Sequence, residues 1–235
     1  MRMIKKILVS DYDQTFYLND EDIEKNKEAV KKFREKGNLF VIATGRSYYD
    51  FYRKVNEYKL CYDYVILNHG ATVLDQNDCV FANFAIENEV IKDIKNDLQL
   101  EKSVKDFCCS GLESRVDFKT MDLTKINVKY DLKDMAFIIN KTINEKYSEF
   151  VNSYNVTGDS IEIISNKTNK SEAINLLLGK LNIPKQNVYT IGDGYSDVQM
   201  VKDFNGYAMA NSVEDLRKVA KKEYSSVSEL INEII

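Results

Sequence analysis

Four aspartates stand where short apolar runs break off. Asp11 and Asp13 follow Lys6-Ile7-Leu8-Val9-Ser10, and Asp193 and Asp197 follow the run from Asn187 to Ile191, in the turn Gly192-Asp193-Gly194-Tyr195-Ser196-Asp197. A third run, Leu39 to Ala43, ends in Thr44-Gly45-Arg46. Each run reads as a strand buried on both faces, the pattern of a parallel sheet. In such sheets ligands sit beyond the carboxyl ends of the strands, where the strand order reverses. If these strands are neighbours, their polar tips meet in one crevice, although Asp11 and Asp193 lie 182 positions apart.

Carboxylates crowded in this way repel one another. At ~4 Å and an effective dielectric of ~20, each like-charged pair costs roughly 4 kcal/mol, so the set needs a counter-charge. A divalent cation supplies it, and a site of carboxylates and carbonyls without histidine or cysteine suits Mg²⁺. The cation would in turn attract an anion such as phosphate. An aspartate can attack phosphorus, so phosphoryl transfer through an aspartyl-phosphate fits the residue types.

Composition excludes other chemistries. His69 is the single histidine, so a multi-histidine metal centre is impossible and a Ser-His-Asp triad would have to use it. Cys61, Cys79, Cys108 and Cys109 show no C-x-x-C spacing and are expected to be reduced, small buried hydrophobes. A net charge of −4 gives no reason to expect nucleic acid. The apolar runs are strand-sized, far below the ~20 residues of a membrane-spanning helix. The basic start, Met1 to Lys6, leads into too short an apolar stretch for a signal peptide, so a cytoplasmic protein without membrane attachment is expected.

A length of 235 residues suits one large domain or two small ones. Helices predicted over about 21–36 and 48–58 alternate with strands at 6–10, 39–43 and 64–67, which implies right-handed parallel crossovers. The alternation then breaks. Runs at 72–74 and 79–81 flank Asp75-Gln76-Asn77-Asp78, a hairpin by turn chemistry. Beyond it the pattern is α+β, with helices at 87–98 and 133–147 and strands near 104–107, 115–118, 125–130, 150–155 and 160–164. The α/β pattern resumes with a helix at 170–181, strands at 187–191 and 206–210, and short helices at 213–221 and 227–234.

Taken in order, Asp11-x-Asp13-x-Thr15, Thr44-Gly45-Arg46, Lys170 opening a helix and Gly192-Asp193-Gly194-x-x-Asp197 resemble the four motifs of the haloacid dehalogenase-like phosphatases. The likeness covers nearly the whole chain, and the insert resembles the cap of the Cof-type subfamily, mostly phosphatases of sugar phosphates and related metabolites. The resemblance implies an α/β fold: a Rossmann-like parallel-sheet core of residues 1–80 and 165–235, with an α+β cap domain of 81–164 set into it. It also implies a Mg²⁺-dependent phosphatase acting on a small phosphorylated metabolite. Asp11 would be nucleophile and Mg²⁺ ligand. Asp13 would give its backbone carbonyl to the metal and its carboxyl as general acid and then base. Thr44 and neighbouring N–H groups at Gly45 and Arg46 would hold the phosphoryl group, with Arg46 and Ser196 in support. Lys170 would neutralise phosphoryl charge and steady Asp11, Asp193 would be the second metal carboxylate, and Asp197 would lie in the outer shell.

Three positions depart from that family's pattern. Gln14 stands where glycine is usual, Phe16 where leucine is frequent and Ser196 where asparagine is usual. Glycine in such a turn takes positive φ, so Gln14 is expected to disturb the phosphate loop. None of the departures removes a charged catalytic group. Two other functions remain open on these residues: a phosphomutase of the same fold, and a non-catalytic protein that binds a partner through its cap. Plainer roles compete at single positions. Aspartates beside glycines are often turn formers, Lys167 rivals Lys170, and His69 in Asn68-His69-Gly70-Ala71 reads as a structural or hinge residue.

Overall fold

In the computed structural model, which describes residues 6–100, 103–118 and 121–235, the apolar run Ile7–Ser10 (β1) is an inner strand of an eight-stranded sheet. Residues 1–5, to which the signal-peptide argument applies, lie outside the described residues. Asn19 caps the following helix α1 (Asp20–Glu35) by accepting the N–H groups of Glu21 and Asp22. Then come β2 (Leu39–Ala43), α2 (Tyr48–Tyr58) and β3 (Tyr64–Leu67), followed by the hairpin β4 (Thr72–Asp75) and β5 (Val80–Asn83).

At 84–87 the chain leaves this sheet. It forms α3 (Asn88–Asp97), β6 (Val104–Ser110), β7 (Arg115–Val116), β8 (Lys125–Tyr130), α4 (Lys133–Tyr147), β9 (Val151–Asn155) and β10 (Ser160–Ser165). The five strands make an antiparallel sheet in the order β7-β6-β8-β10-β9. The chain returns at 166–169 through α5 (Lys170–Leu181), β11 (Val188–Gly192), α6 (Val198–Asp203), β12 (Asn205–Met209), α7 (Glu214–Arg217), β13 (Glu223–Tyr224) and α8 (Val227–Ile234).

The first sheet has the order β13-β12-β11-β1-β2-β3-β4-β5, parallel from β13 to β3 and antiparallel beyond. Period-2 alternation splits its apolar residues between two layers. Ile7 and Val9 pack with Ile174, Leu177 and Met200 on the side of α5 and α6, while Leu8 packs with Ile23, Phe33, Phe51 and Leu230 on the side of α1, α2 and α8. With both faces covered, the strand must read as an unbroken apolar run, and each such side chain contributes about 1.5–3 kcal/mol by leaving water. The second sheet has only one apolar face. Ile126, Val128, Ile161 and Ile163 pack on Ile94, Ala136, Ile139 and Ile143, which leaves Lys125, Asn127 and Glu162 together on the opposite face.

Some sequence expectations need correction. The helix predicted at 213–221 is one turn, Glu214–Arg217, because Lys221 must donate its N–H to the Gly206 carbonyl and lead into β13, a strand the sequence pattern did not show. Only Cys109 is fully buried. Cys61 and Cys79 are exposed and Cys108 is half-buried, since two of them sit in connections rather than in packed elements. No helix among the described residues is long and apolar enough to cross a membrane.

Candidate active site

β11 and β2 flank β1 on its two sides, so the strand order reverses there. Asp11, Thr44 and Asp193 are each the first residue past one of these three strands. The Asp11 N–H donates to the Ile191 carbonyl at 3.0 Å, which holds it at the sheet end with 7% exposure. Lys170, the first residue of α5 and wholly buried, donates to Asp11 Oδ1 and to Asp197 Oδ1, each at 2.6 Å. Its rival Lys167 pairs at the surface with Glu87.

Asp197 is encircled by donors. Its Oδ2 accepts the N–H groups of Asp193 at 3.1 Å and Gly194 at 3.0 Å, in addition to Lys170 on Oδ1. Gly192 makes this possible: a Cβ there would stand 2.5 Å from Asp197 Cγ. Asp193 is held from the other direction by the Thr15 hydroxyl, 2.7 Å from its Oδ1.

Carboxylate oxygens of Asp11, Asp193 and Asp197 lie within 4.8 Å of one another. Burial, together with the Asp197 and Asp193 charges, pushes the Asp11 carboxyl well above its ordinary range in spite of Lys170. Burial and then Asp197 push Asp193 up to about 6. Burial opposes charge on Lys170, but Asp11 and Asp197 more than compensate, and the ammonium stays charged. One ammonium against three carboxylates leaves negative charge uncompensated. The Asp13 carbonyl accepts no hydrogen bond among the described residues. An all-oxygen donor set with excess negative charge fits a hard divalent cation.

These groups open on a cleft of about 720 Å³. Asp13 and Arg46 face each other across it in a bidentate pair, Nε to Oδ2 and Nη2 to Oδ1 at 2.7 Å each, with the guanidinium also 5.5 Å from the Tyr12 ring centroid. The Asp13 carboxylate therefore lies outside the three-aspartate cluster. Thr44 is buried at the cleft floor, its Oγ1 accepting the Arg46 N–H at 3.1 Å, and Ser196 lines the wall. Lys170 does not line the cleft. It lies behind Asp11, in contact with that carboxylate. The expected disturbance at Gln14 does not occur: Gln14 itself takes φ 63° and closes the turn by donating its N–H to the Tyr17 carbonyl at 2.9 Å.

The sequence pattern missed the cleft's other wall. Lys125, Tyr154 and Glu162 line it from the second sheet, and His69 joins them at the junction. Glu162 Oε1 accepts from Lys125 Nζ at 2.6 Å and from Asn127 Nδ2 at 3.0 Å, while Oε2 pairs with His69 Nε2. Burial opposes ionisation of Glu162, yet Lys125 and His69 hold it well below the carboxylate range. Burial outweighs Glu162 at His69 and lowers its pKa, which favours the neutral ring. Asn68 and His69 take positive φ, at 49° and 55°, which is strained for residues with a Cβ, and Gly70 follows at 118°, all at the junction of the two sheets. A charge between aliphatic neighbours, as in Ile161-Glu162-Ile163, was the one available signal for this wall.

A sequence profile for haloacid dehalogenase-like hydrolases matches residues 8–118 and 110–230. The 5-amino-6-(5-phospho-D-ribitylamino)uracil phosphatase YcsE of Bacillus subtilis is 26% identical over 229 residues, which cover 92% of this chain and 88% of that protein. Among solved structures, a haloacid dehalogenase-like hydrolase from B. subtilis superposes with a TM-score of 0.87 at 17% identity, covering 98% of this chain and 100% of that one. Another from Bacteroides thetaiotaomicron gives 0.83 at 19% identity, covering 98% and 99%. With its three strand tips, its buried lysine and this match along nearly its full length, the chain belongs to the haloacid dehalogenase-like hydrolases.

Proposed function

We propose that this hydrolase is a Mg²⁺-dependent phosphatase that removes the phosphoryl group from a small phosphorylated metabolite by way of an aspartyl-phosphate on Asp11. The observation that carries this reading is the buried contact of Lys170 with Asp11 and Asp197 beside Asp193. Asp11 and Asp193 would hold the cation through their carboxylates and Asp13 through its carbonyl, with Asp197 fixed behind them. Bound there, Mg²⁺ supplies charge neutralisation for the phosphoryl oxygens. The B. subtilis relative named as a phosphatase supports the same class of reaction.

Lys170 holds Asp11 Oδ1, and the attack is assigned to Oδ2. A bond forms from that oxygen to phosphorus as the ester P–O bond breaks, and Asp13 gives its proton to the leaving oxygen. Water then adds to phosphorus, Asp13 takes its proton, and the bond to Asp11 breaks, which releases phosphate. Asp13 must first part from Arg46 and take up a proton from solvent. The Asp13 and Arg46 side chains are 46% and 28% exposed, so an incoming phosphoryl group can reach the guanidinium and take over its donors. The freed guanidinium is then a donor for phosphoryl oxygens, beside the Thr44 hydroxyl. The second sheet, which brings Lys125, Tyr154 and Glu162 to the cleft, serves as the cap that meets the leaving group.

The test is release of phosphate from p-nitrophenyl phosphate and from a panel of sugar phosphates, nucleotides and cofactor phosphates, headed by the phosphoribitylamino compound for which the relative is named. Hydrolysis that requires Mg²⁺ and stops with EDTA is the expected result. Transfer of phosphoryl groups between hydroxyls without release points instead to a mutase, and no turnover with intact Mg²⁺ binding points to a non-catalytic protein.

A further inference from the structure

The three carbonyls of Thr44-Gly45-Arg46 are all held by groups on the chain. Thr44 O accepts the His69 N–H at 3.0 Å and Arg46 O accepts the Asn68 N–H at 3.0 Å, both from the segment that follows β3. The middle one, Gly45 O, accepts from Lys125 Nζ at 2.5 Å, a side chain delivered by β8 of the second sheet. A trans peptide points its N–H opposite to its C=O. Holding Thr44 O therefore directs the Gly45 N–H to the opposite side, where it has no acceptor among the described residues. Holding Gly45 O directs the Arg46 N–H onto Thr44 Oγ1, which occupies an acceptor position of that hydroxyl and leaves its proton to donate.

Lys125 is itself tightly held. Its side chain is 6% exposed, and Glu162 fixes the ammonium through Oε1 at 2.6 Å while pairing with His69 through Oε2. Gly45 admits this assembly, because a Cβ there would stand 2.4 Å from His69 Cε1 and 3.0 Å from Glu162 Oε2.

We propose that Lys125 is a positioning residue for phosphoryl binding: held by Glu162, it fixes the Gly45–Arg46 peptide plane and through it the Thr44 hydroxyl. The capture of phosphate in the first sheet is thereby coupled to a side chain of the second. The inference rests on the phosphatase reading above.

The experiment measures two constants for the full chain with Mg²⁺: KM for p-nitrophenyl phosphate, and Ki for inorganic phosphate as a competitive inhibitor. Wild type is compared with Lys125→Met, Lys125→Arg and Glu162→Gln, with thermal melts to check folding. Lys125→Met is expected to raise KM and Ki together by roughly tenfold, as loss of a charge-assisted hydrogen bond does, with kcat within about threefold. Lys125→Arg should recover most of the loss, and Glu162→Gln should raise both constants to a smaller degree. If Lys125→Met does not fold, the paired rise in Glu162→Gln carries the test.

A KM that rises while Ki for phosphate stays put would place Lys125 on the leaving group and overturn the proposal, as would a fall in kcat alone. Failure of the underlying reading looks different: wild type itself would then neither hydrolyse the aryl ester nor bind phosphate, and both ideas would fall.

Discussion

Lys170 Nζ stands 2.6 Å from Asp11 Oδ1, joining residues 159 positions apart, and the same ammonium stands 2.6 Å from Asp197. Removing one partner from a buried ion cluster costs more than the cluster contributes, because the remaining charges lose their compensation. Lys170→Met is therefore expected to lower stability by about 3–5 kcal/mol at pH 8. With the ammonium gone, burial raises the Asp11 carboxyl still further above its unfolded value. The deficit should therefore shrink as pH falls towards 5 and Asp11 takes up its proton in the folded chain. Urea unfolding at the two pH values checks this, and an equal deficit at both would count against the cluster as described.

Gly192→Ala would drive a Cβ to 2.5 Å from Asp197 Cβ and Cγ. Asp197 must then move, and with it the N–H groups of Asp193 and Gly194 that it accepts. Displacement of about an ångström at a catalytic centre costs on the order of 10²-fold, so turnover of an aryl phosphate should fall by that much. Near-normal kcat/KM in the variant would show that Asp197 does not set the geometry of the site.

Gln14 sits at φ 63°, a conformation that costs a residue with a Cβ roughly 1–2 kcal/mol. Glycine offsets part of this gain through its greater freedom in the unfolded chain. Gln14→Gly should raise stability by about 0.5–1 kcal/mol, read as a higher urea midpoint at unchanged slope. A lower midpoint would mean that the Gln14 side chain contributes more than its backbone costs.

Asp193 is pushed up to about 6 from 3.8, and Asp11 is raised in the same direction. Between about pH 4 and 6 the folded chain binds a proton at Asp193 that the unfolded chain has lost, so metal-free stability falls as pH rises through that window. A cation in the site removes this penalty but must displace the proton at low pH. Mg²⁺ at 100 times its Kd contributes about 2.7 kcal/mol, or roughly 5–10 °C in Tm for a chain of this size. The full shift is expected at pH 7.5 and less than half of it at pH 5. Equal shifts in differential scanning calorimetry would place the ion away from Asp193.

The three strand tips were legible because β1, β2 and β11 are covered on both faces, so each reads as an apolar run whose first polar residue marks the sheet end. Parallel pairing then brings Asp11, Thr44 and Asp193 together whatever their separation in sequence. The wall built by Lys125 and Glu162 was not legible. Alternation along β8 and β10 tells one face of a strand from the other, but not that the polar face meets Gly45 and His69 of a different sheet. The Asp13–Arg46 pair was hidden for a related reason: both residues lie in loops, where no period constrains direction. The short β13 lies at a sheet edge and offers too few residues for any pattern.

The central claim is that Asp11 forms the bond to phosphorus, and turnover of p-nitrophenyl phosphate by Asp11→Asn with saturating Mg²⁺ tests it most directly. The amide keeps the size and the contact with Lys170 but removes the attacking carboxylate. A loss of roughly 10³-fold or more in kcat, with the melting profile of a folded chain, is the predicted result. Turnover within a few-fold of wild type would contradict the account.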